Sequence, residues 1–197
     1  MPRNEPPPGD AAPPDPERAA ALLRHRRSVE RFRPERPPPA LIEAAVECAR
    51  WAPNHHLTQP WRFYDLGPET AAAVVALNAD LVAARKGEAA AEAKRRRWGA
   101  VPGWLVVTQR RSDDPLRERE DYAACCCAIQ NLMLFLAAHD VGTKWTTGDV
   151  TREPRFYEIA GIDAGAEDVT GLVWYGYPAH RPRSRRLPVS EILRTLP

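Results

Sequence analysis

An α+β fold is what this sequence predicts: a central mixed or antiparallel sheet flanked by helices. Three observations lead there. Strand-like and helical segments are interspersed without a strict strand–helix–strand rhythm, which argues against a doubly wound parallel sheet. One long segment, Glu118 to His139, is apolar on nearly every side in its middle and reads as a buried core helix. The 197 residues, 44% of them hydrophobic, are enough for one domain with a real core.

The elements follow in order. Residues 1–14 carry Pro2, Pro6, Pro7, Pro8, Pro13 and Pro14 and offer almost nothing to bury, so a disordered or extended arm is expected ahead of one domain, 15–197. Asp15-Pro16-Glu17 is a helix start, with a cap, a first-turn proline and an early acid. The helix runs to Arg26 and is expected to bury Ala20, Leu22 and Leu23. A proline-rich connector, Arg33 to Pro39, leads to a helix ending near Trp51, with Leu41, Ile42, Ala45, Val46 and Ala49 on one face. Pro53 stops it. Trp61 to Leu66 is strand-like. Glu69 to Arg97 is helical with a break near Gly87, and Trp104 to Gln109 is a strand. Gly142 is expected to end the core helix. Lys144 to Thr147 is a short β piece, Glu153 to Ala160 a short helix, and Val169 to Tyr175 a buried strand.

Composition removes some classes of function. A formal charge of +2 gives no general reason to bind nucleic acid. Two local clusters are basic: Lys94-Arg95-Arg96-Arg97 and Arg181 to Arg186. Each reads as a solvated surface or as the seat of one phosphate group. No apolar run has the length of a membrane span, and Met1 to Arg18 holds no apolar signal segment, so a cytoplasmic location is expected. Cysteines 125, 126 and 127 are adjacent on a helix and point about 100° apart. They cannot converge on one metal, and with Cys48 they read as small core residues in a reducing compartment. No GxGxxG, P-loop, HExxH or hydrolase elbow is present. His55 and His56 would point opposite ways in an extended segment.

Two basic elements stand out. Arg26-Arg27-Ser28 ends a helix and enters a turn; a guanidinium and a hydroxyl there can hold a phosphate monoester, or the arginines can simply complement the helix dipole. Arg183-Ser184-Arg185-Arg186-Leu187-Pro188 is a second possible phosphate contact or a solvated tail.

At this point the order of motifs resembles a known family. Arg26-Arg27-Ser28-Val29 with Phe32-Arg33-Pro34 resembles the opening motif of the nitroreductases. Ala49-Arg50-Trp51-Ala52-Pro53-Asn54 followed by Gln59-Pro60-Trp61-Arg62-Phe63 resembles the second. Ala128-Ile129-Gln130-Asn131-Leu132 with Gly142 resembles the core helix, and Gly176-Tyr177-Pro178 with Arg186-Leu187-Pro188 the closing motif. The likeness covers residues 17 to 197 and is greatest to the compact NAD(P)H nitroreductase branch.

The resemblance implies a homodimer with its long core helix at the interface and FMN bound where the copies meet. By motif, Arg26, Arg27 and Ser28 hold the ribityl phosphate end, and Arg185 and Arg186 close it from the C-terminal side. Trp51, Pro53, Asn54 and His55 reach the flavin of the other subunit, and Trp145, Thr146 and Thr147 run along the isoalloxazine edge. Hydride passes from NADH or NADPH to flavin N5, and electrons then pass to a nitroaromatic, quinone or related acceptor in a ping-pong cycle. The cofactor carries the chemistry, so no catalytic side-chain pair is implied. Other flavin chemistry on the same scaffold, such as dehalogenation, flavin breakdown or dehydrogenation, is the first alternative; a basic nucleic-acid module is the second. The pattern departs from the family at Glu30, where many members carry a cation, and Arg31 or Lys144 are the candidates to replace it. It also departs at Trp51 and in Asn54 to Thr58.

Overall fold

The computed structural model describes residues 15–197. The proline-rich arm expected over residues 1–14 lies outside them. Helices α1 (Pro16–His25) and α2 (Pro39–Ala49) precede strand β1 (Trp61–Asp65). Helices α3 (Pro68–Lys86) and α4 (Glu88–Gly99) lead to β2 (Gly103–Arg110). Then come α5 (Pro115–Ala138), β3 (Gly142–Thr146), α6 (Pro154–Ala160), β4 (Glu167–Gly176) and a short α7 (Val189–Ile192). Proline opens α1, α2, α3, α5 and α6, where its missing N–H costs nothing and its fixed φ is already helical. The side chains of Asp15 and Asp114 accept the Glu17 and Leu116 N–H groups at 2.9 Å and so cap α1 and α5.

The strands form one sheet in the order β1-β2-β4-β3, every pair antiparallel. β2 and β4 are central, and both are buried except at one end, Arg110 on β2 and Glu167 to Val169 on β4. Alternation along each strand sends side chains to two cores. Leu105, Val107, Val173 and Tyr175 face α2 and α5. Trp104, Val106, Leu172 and Trp174 face α3, α4 and α6. In that second core the rings of Trp98, Trp104 and Trp174 meet with centroids 5.3–5.5 Å apart. Arg36 fastens the connector before α2 by donating to both Asp65 carboxylate oxygens at 2.8 Å, while Tyr175 donates to Asp65 Oδ1 at 2.6 Å.

The expected break at Gly87 is present, with φ at 81°, a region that favours glycine. Four expectations need correction. No residue of α1 is buried: Ala20 and Leu22 are half-buried and Leu23 is 58% exposed. The core helix ends within one residue of the expected His139, but Gly142 is not what stops it. It stops at Ala138, and Asp140 takes the left-handed turn at φ 61°, a conformation that aspartate tolerates. It also starts three residues earlier than expected, and among the described residues α5 alone reaches the length and apolarity of a membrane span; its buried residues build the core shared with α2. Of the cysteines, only Cys125 is buried, and burial pushes its thiol up to about 12. Cys127 is exposed on the opposite side of α5.

The segment after α1 extends the sheet. Ser28 bridges Thr143 in parallel beside β3, with the Val29 N–H donating to the Thr143 carbonyl at 2.9 Å. Gly142 permits this approach, because a Cβ there would lie 2.7 Å from Val29 Cγ2. Gly142→Ala is therefore expected to cost about 1–3 kcal/mol in urea denaturation. Gly148→Ala, whose added methyl meets nothing nearer than 3.9 Å, is the neutral control.

Candidate functional site

Two groups of site residues predicted from the sequence assemble at opposite edges of the sheet. The first stands beside β3. Arg26 caps α1 and is half-buried; burial first, then the like charges of Arg186 and Arg27, holds its guanidinium below the ordinary arginine value. Arg26 and Arg186 therefore share one field, although 160 positions separate them in the chain (186 − 26). Arg27 donates to the backbone carbonyls of Arg24 and Arg26, the latter at 2.8 Å. Arg186 donates to the Arg185 carbonyl at 2.9 Å and to Ser184 Oγ. None of Arg26, Arg27, Arg185 and Arg186 has a carboxylate partner among the described residues. Like charges held together without an acid are the donor set for an oxyanion. Ser28 is exposed next to them.

Backbone pairing brings these groups together. Arg33 N–H donates to the Tyr177 carbonyl at 2.8 Å, and Ala179 N–H to the Arg31 carbonyl at 2.9 Å. Arg181 then contacts His25 Nε2 at 2.9 Å and pairs with Asp140. This second tie, which the sequence did not reveal, holds the tail against the end of α1. Nothing in the local pattern around Arg181 distinguishes it from its neighbours.

The second group precedes β1. Asn54 organises the loop: its Oδ1 accepts the Gln59 N–H at 2.6 Å and its Nδ2 donates to Thr58 Oγ1 at 2.9 Å. Thr58 donates to the buried Asp121 carboxylate on α5 at 2.5 Å, and His55 Nδ1 lies 3.4 Å from Glu120. His56, Leu57 and Gln59 adopt left-handed backbone with φ of 58°, 50° and 46°. Such residues cost about 1–3 kcal/mol each and persist where surrounding bonds dictate them. The loop is a short 310 turn, so His55 and His56 do not diverge as an extended segment would make them. Their rings stack with centroids 4.0 Å apart. Trp51 is half exposed, with Arg50 over its ring at 5.3 Å and its Nε1 donating to Glu47 at 3.1 Å. Pro53 is exposed.

Along β3, residues alternate. Trp145 packs on the α5 side and closes over Gly171, where a Cβ would sit 2.0 Å from its Nε1. Lys144 and Thr146 face the α3–α4 side, and Thr147 is exposed past the strand end. Glu30 lies beside this strip. Its carboxylate accepts from Lys144 and pairs with Arg97 at 2.5 Å. The Lys144 hydrogen bond above all, with both cations adding, holds it below the usual glutamate range. Arg31 is exposed.

With this geometry in place, comparison with known proteins assigns a family. The nitroreductase family model matches residues 23–177, and the chain belongs to that family. It is similar to "Putative NAD(P)H nitroreductase YfhC" of Bacillus subtilis, 29% identical over 176 residues, covering 86% of this chain and 90% of the relative. The crystal structure of a nitroreductase-like family protein from Bacillus cereus superposes with a TM-score of 0.79 at 27% identity, over 90% of this chain and 95% of that one. A protein from Desulfovibrio desulfuricans described as a "putative nitroreductase in complex with FMN" has the same fold, with a TM-score of 0.73 at 21% identity over 93% and 98% of the two chains.

Asp121 is 4% exposed, and Thr58 is its hydrogen-bond donor. Thr58→Val leaves that carboxylate without a partner and is expected to cost about 1–3 kcal/mol, read as a lower thermal midpoint. Thr58→Ser keeps the donor and is expected to hold the midpoint near that of the unaltered protein.

Proposed function

We propose that this chain is an FMN-dependent oxidoreductase that uses NADH or NADPH to reduce a nitroaromatic, quinone or related small acceptor. The acid-free convergence of Arg26, Arg27 and Arg186, in a member of the nitroreductase family, is the observation that carries this reading. Three guanidiniums fit a phosphate monoester, whose oxygens accept several charge-assisted hydrogen bonds at once. Arg26, Arg27, Ser28 and Arg186 would hold that group, with Arg185 beside them. When bound, the flavin supplies the two-electron chemistry between the reduced nicotinamide and the acceptor. The side chains bind, orient and set the local charge, and the proposal assigns no catalytic acid or base to them.

The position of the two residue groups supports a homodimer as part of this reading. Ser28 adjoins β3 and the 51–59 loop leads into β1, the two outer strands of the sheet. Three strand spacings separate them, roughly 15 Å. Trp51, Pro53, Asn54 and His55 of one copy would therefore complete the site on the other. Exposed Leu23, Trp51, Leu57, Leu116 and Tyr122 leave apolar surface for such a partner. Of the three residues expected along the ring edge, Thr146 and Thr147 stand free to meet it, while Trp145 is turned into the core on the α5 side and would only back them.

Purified protein is expected to be yellow and to release FMN on denaturation. Arg26→Ala is expected to weaken FMN binding by about ten- to a hundredfold, from loss of a charge-assisted contact. Sedimentation is expected to give a dimer. A colourless monomer that ignores added FMN overturns the reading.

A further inference from the structure

Beyond Ala179, the C-terminal tail is tied to the rest of the protein through one side chain. The Ala179 N–H donates to the Arg31 carbonyl at 2.9 Å. After that residue, and among the described residues, the tail's hydrogen bonds are internal except at Arg181. Arg186 bonds Ser184 and the Arg185 carbonyl, Arg194 bonds the carbonyls of Ser190 and Leu193, and α7 closes on itself. Arg181 pairs with Asp140 on the turn after α5, and its Nη1 lies 2.9 Å from Nε2 of His25, the last residue of α1. Packing adds little, since every residue from His180 to Pro197 except Pro182 is exposed. The tail also works against a repulsion, because Arg186 stands in the field of Arg26. Arg181 is therefore the pin that keeps the C-terminal arginines beside α1.

The chemistry of this pin runs one way. A guanidinium has N–H donors, no acceptor and no neutral form at working pH. The contact with Arg181 therefore makes His25 Nε2 the acceptor, in a neutral ring with its proton on Nδ1. A protonated imidazole has donors only. It would set a second cation against Arg181 and compete with it for Asp140. The neighbouring charged and titratable groups are Arg24 and Arg26 on α1, His139 and Asp140 on the turn after α5, and His180, Arg181 and Arg183 on the tail. After Asp121, α5 carries no charged residue, and Lys144 on β3 is taken by Glu30. Asp140 is thus the one acid of the group, and Arg181 already holds it.

We propose that His25 is a positioning residue for the arginine cluster and acts only while neutral: it completes the seat of Arg181, holds Arg185 and Arg186 beside Arg26, and lets them go when protonated. Histidine changes charge between pH 5 and 8, so the contact is present at the upper end of that range and lost as pH falls through it. The loosening of the tail stands on this contact alone. Its effect on FMN rests on the proposed function, which assigns Arg185 and Arg186 to the flavin phosphate.

NMR relaxation of the backbone Cα carbons of residues 183–187, in the full chain without flavin, tests the pin. Order parameters are expected to fall from about 0.8 at about pH 7.5 to about 0.6 or less at about pH 5.5. His25→Gln places an amide oxygen, an acceptor at every pH, where Nε2 stood, and is expected to keep the tail ordered at both. His25→Lys, cationic at both, is expected to leave it loose at both. His139→Gln and His180→Gln are expected to retain the pH dependence of the unaltered protein. Order that does not change between the two pH values, or that falls as far in His25→Gln, overturns the pin. FMN titration under the same conditions tests the consequence. The flavin phosphate itself changes charge over this range, so the reading is the difference between two proteins. On acidification the unaltered protein is expected to lose about three- to tenfold more affinity than His25→Gln, as one hydrogen bond allows. Equal losses overturn the role of His25 at the cluster. A tail freed by acid through His25, in a protein that ignores FMN at both pH values, upholds the pin and overturns the flavin reading.

Discussion

One backbone contact arranges this molecule's chemistry: the short parallel pairing of Ser28 and Val29 along the outer edge of β3. It fixes where the chain leaves α1, and so where Arg26 and Arg27 stand. From there Phe32 pairs with Pro178, which brings the C-terminal arginines back to the same place. A polar edge that would otherwise be open is thereby covered, which sheets generally need. The glycine at 142 is the condition for all of it, since Val29 occupies the space a side chain would take.

Electrostatics sharpen the picture. Arginines gather at this edge and repel one another, so an anion that joins them is favoured. A few residues further along, Glu30 meets two cations and is satisfied. The chain thus keeps one cationic cluster open and balances the next, within five positions of sequence. This balance also bears on the place where many family members carry a cation. A carboxylate stands there instead, and it brings Lys144 and Arg97 to the same spot.

Much of this was legible in the residues. Gly87 marked the helix break because glycine alone sits easily at its φ, and the near-continuous apolar runs in β2 and β4 marked strands buried on both faces. The link between Arg26 and Arg186 came only from family resemblance; no spacing rule connects residues that far apart. What escaped notice has physical causes. The residue that stops α5 was misassigned because Asp140 took the left-handed turn usually left to glycine, while Gly142 served close packing. The stacked histidines were missed because a loop dictated by Asn54 and Thr58 overrode local preference. In the Lys94 to Arg97 cluster, that Arg97 turns to Glu30 while Arg95 and Arg96 turn to Glu92 emerges only when α4 is set against α3 and the sheet.

The α3–α4 hairpin enters and leaves the sheet at almost one point. Leu66, just before it, donates its N–H to the carbonyl of Trp104, just after it, at 2.8 Å. Its stem is thus closed independently of its length. Turns can be added to or trimmed from its far end, around Gly87, without shifting the pairing of β1 with β2, while its inward residues are held by the core they build with Trp104 and Trp174. The far end of the hairpin is thus where length is free to vary while the arginine edge stays as it is.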